Sequence, residues 1–144
     1  MRNRVAVLHG VNLDALDRRP AEHYGGLTFA QLERAIDRFA HDLALDARFF
    51  QSNHEGEYVE EIHKAADYAD GLLLNPGAWT HYAWSLRDAV EVSGLPAVEV
   101  HLSDVERREE FRRVSVFDGV CVAKVSGKGL DGYREALEAL KEAL

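Results

Sequence analysis

Gly71-Leu72-Leu73-Leu74-Asn75-Pro76-Gly77 decides the architecture. The apolar run is too short for a useful helix, and Asn-Pro-Gly stops regular structure immediately after it. A short, unbroken apolar segment of this kind reads as a strand buried on both faces. Parallel sheets covered by helices demand such strands, whereas antiparallel sheets with one wet face show alternation. Working outward, Arg4–Leu8, Ala47–Gln51, Ala97–His101 and Val120–Val125 are further short strands, bringing the expected number to five.

Helical segments alternate with these strands. Thr28–Leu43 reads as a helix with Thr28 as its cap, and Gly56–Tyr68 follows with Glu57, Glu60 and Glu61 near its positive end. His81–Val92 is a third helix, Val105–Phe111 a short helical turn, and Gly132–Leu144 a terminal helix with Leu137, Leu140 and Leu144 in helical spacing. Strict strand–helix alternation predicts an α/β domain over residues 1–144: a flavodoxin-like, doubly wound, five-stranded parallel sheet in a three-layer sandwich.

Composition narrows the function. The chain has 144 residues, 47% hydrophobic and 29% charged, with a net charge of -8. That balance argues against general nucleic-acid binding. The single cysteine, Cys121, reads as a core residue and permits no disulfide within the chain, which fits a reducing, cytoplasmic setting. No signal pattern or membrane-length apolar run is present, so no membrane partner is expected. Arginines nevertheless cluster at Arg18-Arg19 and from Arg107 to Arg113, as suits a small anionic ligand.

In doubly wound sheets, ligands bind beyond the carboxyl ends of the strands. Four of the five strand ends here carry Asn or His: His9-Gly-Val-Asn12, Ser52-Asn53-His54, Asn75-Pro-Gly and His101-Leu-Ser103. Within Ala97–His101, alternation puts Glu99 and His101 on one face and Val98 and Val100 on the other. A carboxylate two residues from an imidazole on one face can orient it and stabilise its charged form. The same residues, with the arginines after them, also suit a surface ion-pair cluster. The connection Gly10–Leu27 is unusually long, carries Arg18, Arg19, His23 and Tyr24, and ends on Gly25-Gly26, which reads as a mobile lid.

Two other patterns lead elsewhere. Gly127-x-Gly129-x-x-Gly132 fits a dinucleotide fingerprint, but no strand ending in an acidic residue follows its helix, so it reads as a tight turn. The seven histidines show no metal-ligand spacing, so no metal site is expected.

The ordered blocks carry a resemblance to type II dehydroquinase (3-dehydroquinate dehydratase) over essentially the whole length. They are Gly10-x-Asn12-Leu13 with Arg19 and Tyr24-Gly25; Gln51-Ser52-Asn53-x-Glu55-Gly56; Asn75-Pro76-Gly77-Ala78-x-Thr80-His81 with Arg87-Asp88-Ala89; Glu99-Val100-His101-Leu102-Ser103 with Arg108-Glu109-x-Phe111-Arg112; and Gly127-x-Gly129-x-x-Gly132-Tyr133. The resemblance implies cofactor-free loss of water from 3-dehydroquinate through an enolate, by a dodecamer built as a tetramer of trimers. It implies Tyr24 as base, Arg19 and Arg108 as the cations that favour its phenolate, and Asn12 holding the enolate oxygen through a water. It implies His101 as acid with Glu99 orienting it, and Ser103 with the Leu102 backbone receiving the substrate carboxylate. Asn75, His81 and Arg112 would read ring hydroxyls, and Asp88 would reach a neighbouring subunit's site. A free tyrosine titrates near pH ~10, so a tyrosine base needs such cations beside it.

The chain departs from the family pattern at His9, Val11, Asp17, Pro20, Tyr82–Trp84 and Val114. Two other readings stay open: a catalytically altered paralogue for a related cyclic polyol acid, and a flavodoxin-like module binding a nucleotide or flavin.

Overall fold

A computed structural model describes all 144 residues. Five parallel strands, β1 (Arg4–His9), β2 (Asp46–Gln51), β3 (Gly71–Asn75), β4 (Ala97–His101) and β5 (Ala123–Ser126), form one sheet in the order β2-β1-β3-β4-β5. Two of the five helices, α2 (Phe29–Asp42) and α5 (Gly129–Ala143), cover one face, while α3 (Glu55–Tyr68) and α4 (Trp84–Ser93) cover the other. The fifth, α1 (Ala21–Tyr24), is a single turn within the connection after β1. Each face carries its own apolar core, 17 and 16 buried residues, so the sheet is sandwiched evenly. β3, at the middle of the sheet, is buried at every position, as its leucine run requires.

Local chemistry explains most element ends. Thr28 caps α2 through a reciprocal pair: Gln31 N donates to Thr28 Oγ1 at 3.1 Å, and Gln31 Oε1 accepts from Thr28 N at 3.0 Å. A Cβ on Gly10 would collide with the Pro76 carbonyl, so only glycine lets the ends of β1 and β3 come together. There Gly10 N donates to Asn75 O at 2.8 Å.

Four expectations need correction. The fifth strand is Ala123–Ser126, not Val120–Val125: pairing with β4 begins at Val98–Ala123, and Val120 and Cys121 are apolar because they pack on the α3–α4 core as a turn. The terminal helix starts one turn earlier, at Gly129, with Leu130 packed on the opposite core. The helix expected over His81–Val92 is a 3-10 turn, Gly77–His81, followed by α4 from Trp84, with the break at Tyr82-Ala83. The turn at Val105–Phe111 is two 3-10 pieces, Val105–Arg107 and Glu110–Arg113.

The long connection after β1 is more ordered than a polar loop would be. Leu13–Arg18 forms a 3-10 segment whose Leu13 and Leu16, three residues apart, are buried in the α2–α5 core. Pro20 then starts α1, its carbonyl accepting from His23 N and Tyr24 N at 3.0 and 3.1 Å, and Gly25 closes that turn at φ 75°. His9, one of the departures, is fully buried edge-on to Phe29 with ring centroids 4.8 Å apart. Glu33 Oε2 comes within 3.3 Å of His9 Nε2, but the alignment is wrong and neither ring nitrogen makes a hydrogen bond.

Candidate active site

The carboxyl ends of β1, β3 and β4 meet at the point where the connections turn from one side of the sheet to the other, and a cleft opens there. Its floor is the turn after β3 and the end of β4. Asn75 is buried, its Nδ2 donating to Tyr133 OH on α5 at 2.8 Å and its Oδ1 accepting from Gly77 N at 3.2 Å. His101, Leu102 and Ser103, also buried, continue the floor. One wall is the lid with Leu13, Arg19 and Tyr24, and the other is the strap after β4 with Val105, Arg108 and Arg112.

Tyr24 is the focus of the lid. Arg19 Nη2 donates to its phenol oxygen at 2.5 Å, and Arg108 Nη1 donates to the same oxygen at 2.6 Å. The guanidinium of Arg19 also lies 4.2 Å from the centre of the Tyr24 ring. The local chain makes this possible. Arg19 is extended, as a residue before proline should be, and the single turn begun by Pro20 swings Tyr24 back over it. Two guanidiniums thus converge on one phenol oxygen. Arg108 also reaches Ser103 Oγ at 3.4 Å, and Glu109 Oε2 accepts from Arg112 Nε at 2.6 Å.

His101 is the focus of the floor. Its Nε2 donates to Glu99 Oε2 at 2.6 Å, while its Nδ1 has no partner within the protein. Glu99 lies behind it, only 1% exposed, with Ser115 Oγ donating to Oε1 at 2.7 Å and Thr80 Oγ1 donating to Oε2. Burial alone would push this carboxyl up. Its bonds to His101, Thr80 and Ser115, with the charge of His101, outweigh that and hold it below the usual range. Burial pushes the His81 imidazole down, as do His101 and Arg112, although the Val114 carbonyl 2.7 Å from Nδ1 opposes the shift.

Nine of the twelve residues singled out by sequence line the cleft: Arg19, Tyr24, Asn75, His81, His101, Leu102, Ser103, Arg108 and Arg112. Glu99 supports from beneath. Asn12 stands at the root of the lid with an exposed side chain and a left-handed backbone (φ 68°), its N–H donating to Asn53 Oδ1 at 2.8 Å. Asp88 is exposed on α4, outside the cleft. Sequence reasoning gave no role to Thr80 or Ser115. The motif around Thr80 was visible, but nothing in the spacing said that the two hydroxyls converge on Glu99.

A phenol held by two guanidiniums, together with an imidazole paired to a buried carboxylate, equips an α/β chain for proton transfer. The comparisons agree with that class. Residues 3–141 match the family described as Dehydroquinase class II. The chain is 44% identical over 142 residues to the 3-dehydroquinate dehydratase of Caldicellulosiruptor saccharolyticus, covering 98% of each. It superposes on the type II dehydroquinase of Butyrivibrio crossotus with a TM-score of 0.92 and 37% identity, covering 97% of this chain and 98% of that one. The type II dehydroquinase of Propionibacterium acnes gives 0.91 and 36%, covering 99% and 98%. The chain belongs to the type II dehydroquinase family.

Proposed function

We propose that this chain removes water from 3-dehydroquinate to give 3-dehydroshikimate, with Tyr24 as base and His101 as acid. The observation that carries the reading is the double guanidinium clamp on the Tyr24 oxygen. As phenolate, Tyr24 takes a proton from the carbon beside the ketone, and the electron pair moves onto the ketone oxygen as an enolate. The enolate then collapses: the carbon–oxygen bond to the tertiary hydroxyl breaks, and a carbon–carbon double bond forms in conjugation with the ketone. The departing oxygen takes the proton offered by His101 and leaves as water. Asn12 steadies the enolate through a water, and Ser103 with the Leu102 backbone receives the carboxylate. Asn75, His81 and Arg112 read the ring hydroxyls. No lysine lines the cleft, so the chemistry runs by proton transfer without a Schiff base.

The working form in this reading is a homododecamer, a tetramer of trimers. Supporting it, Phe111 and Val114 contact His81, Tyr82 and Trp84 follow it in the chain, and all four are more than half exposed. An apolar patch of this kind beside a cleft is commonly covered by another chain. Asp88, on the same helix as Trp84, would then reach a neighbour's site.

The test is the rise in ultraviolet absorbance of the conjugated enone on adding 3-dehydroquinate, run beside solvent-deuterium incorporation next to the ketone. His101→Ala should retain incorporation and lose enone. A purified chain that forms no enone and incorporates no deuterium would end the reading.

A further inference from the structure

We infer that Thr80 and Ser115 are positioning residues whose hydroxyls keep Glu99 an anion and thereby keep His101 a charged acid aimed into the cleft. The inference rests on the proposed role of His101.

The need arises from the charges in the cleft. Arg19, Arg108 and Arg112 line it, and no Asp or Glu does. His81 and Tyr24 are its other titratable groups; an imidazole carries no negative charge, and the Tyr24 oxygen is already paired with Arg19 and Arg108. Three guanidiniums work against a further positive charge on His101, so its compensation must come from below. Glu99 is the one carboxylate in contact with it. Yet a buried carboxylate left with a single donor would sooner take a proton than stay charged.

The two hydroxyls change that balance. A hydroxyl has one proton to give, and both are spent on Glu99. Phe117 N donates to Ser115 Oγ at 3.1 Å, which leaves the serine proton free to point at the carboxylate. Thr80 is fixed through its backbone, its carbonyl accepting from Val116 N at 2.7 Å. The donors come from separate segments, the turn after β3 and the stretch after the strap, and both are buried. With three donors, Glu99 stays ionised, and the proton of the pair stays on the imidazole. Without the hydroxyls, the pair relaxes to a neutral carboxylic acid and a neutral imidazole. A neutral imidazole is a far weaker acid than an imidazolium, so loss of water slows while proton abstraction by Tyr24 does not.

The experiment uses Thr80→Val, which keeps the shape, Ser115→Ala, and the double variant. Each single change should lower the turnover for enone formation roughly tenfold and the pair roughly 10²-fold, with KM little changed. Deuterium incorporation next to the ketone should stay near the unmodified rate, and Thr80→Ser should restore enone formation. Ring-nitrogen NMR of labelled His101 in the ligand-free protein should show an imidazolium in the unmodified chain and a neutral ring in the double variant at the same pH. An unchanged His101 spectrum in a folded double variant would overturn the inference, as would equal losses of incorporation and enone. Because the spectrum needs no substrate, an unmodified chain inactive on 3-dehydroquinate would refute the proposed reaction while leaving the effect on the Glu99–His101 pair to be decided by NMR.

Discussion

The phenol oxygen of Tyr24 lies 2.6 Å from Nη1 of Arg108, 84 residues further along the chain. This bond ties the lid to the strap after β4, so the guanidinium set against the phenol oxygen also links the two walls of the cleft. Arg19 supplies a second cation from within the lid itself, so the two cations reach one phenol oxygen from separate segments of the chain.

Tyr24→Phe keeps the ring and its contact with Arg19 but removes the hydroxyl that the proposed reaction uses as base. Its turnover should fall by on the order of 10²–10⁴-fold while substrate binding stays close to normal. Arg19→Ala should show a loss of similar size with the phenol still present. Stopped-flow enone formation and calorimetric binding check both, and a Tyr24→Phe variant at the unmodified rate would move the base elsewhere.

Leu16, almost wholly buried, anchors the lid in the α2–α5 core. Leu16→Ala removes contacts typically worth about 2–5 kcal/mol, and the lid is the element they hold. Amide exchange over residues 13–24 should accelerate by on the order of 10–10³-fold while the central strands keep their protection. Exchange mass spectrometry reads both regions at once. A uniform loss of protection would mean that the lid is part of the global fold.

Asp70 accepts from Arg4 N at 2.9 Å and from the Arg4 guanidinium at 3.0 and 3.2 Å. These bonds, foremost the side-chain one, hold its carboxyl at about 2, below the ordinary value of 3.8. A group depressed on folding stabilises the fold above its unfolded value and ceases to do so as pH falls through the folded one. Asp70→Asn should therefore be less stable at neutral pH, and the deficit should close between pH about 4 and about 2. Urea midpoints across that range check the sign.

Light scattering should give a mass of about twelve subunits, and Trp84→Asp should yield smaller species of reduced activity. A fully active monomer would remove the oligomer from the proposed function.

How much of this was legible in the sequence depends on how local the signal is. β3 and β4 lie at Gly71–Asn75 and Ala97–His101, as their apolar runs predict, because a central parallel strand advertises its burial at every position. The alternation of Glu99 and His101 with Val98 and Val100 also follows from strand geometry: the valines pack on the α2–α5 side, while Glu99 bonds to His101, Thr80 and Ser115. The start of β5 was not legible. Val120-Cys-Val122 is as apolar as a strand, and only register with β4 decides where pairing begins. The lid was misread as polar loop because Leu13 and Leu16 are two residues among many charged ones, and their common burial is a tertiary fact. Thr80 and Ser115 stand 35 residues apart, so their convergence on Glu99 has no footprint in local pattern.

The bond between Asn75 and Tyr133 has a consequence for biosynthesis. Tyr133 is wholly buried in α5, the last helix of the fold, yet its hydroxyl steadies the amide at the floor of the cleft. During translation the lid, β1 and β3 leave the ribosome long before that helix does. A nascent chain that has not emerged past Tyr133 holds Tyr24, Glu99 and His101 and still lacks a finished floor. Activity should therefore arise only once Tyr133 has emerged, in step with the arrival of a residue that performs no chemistry.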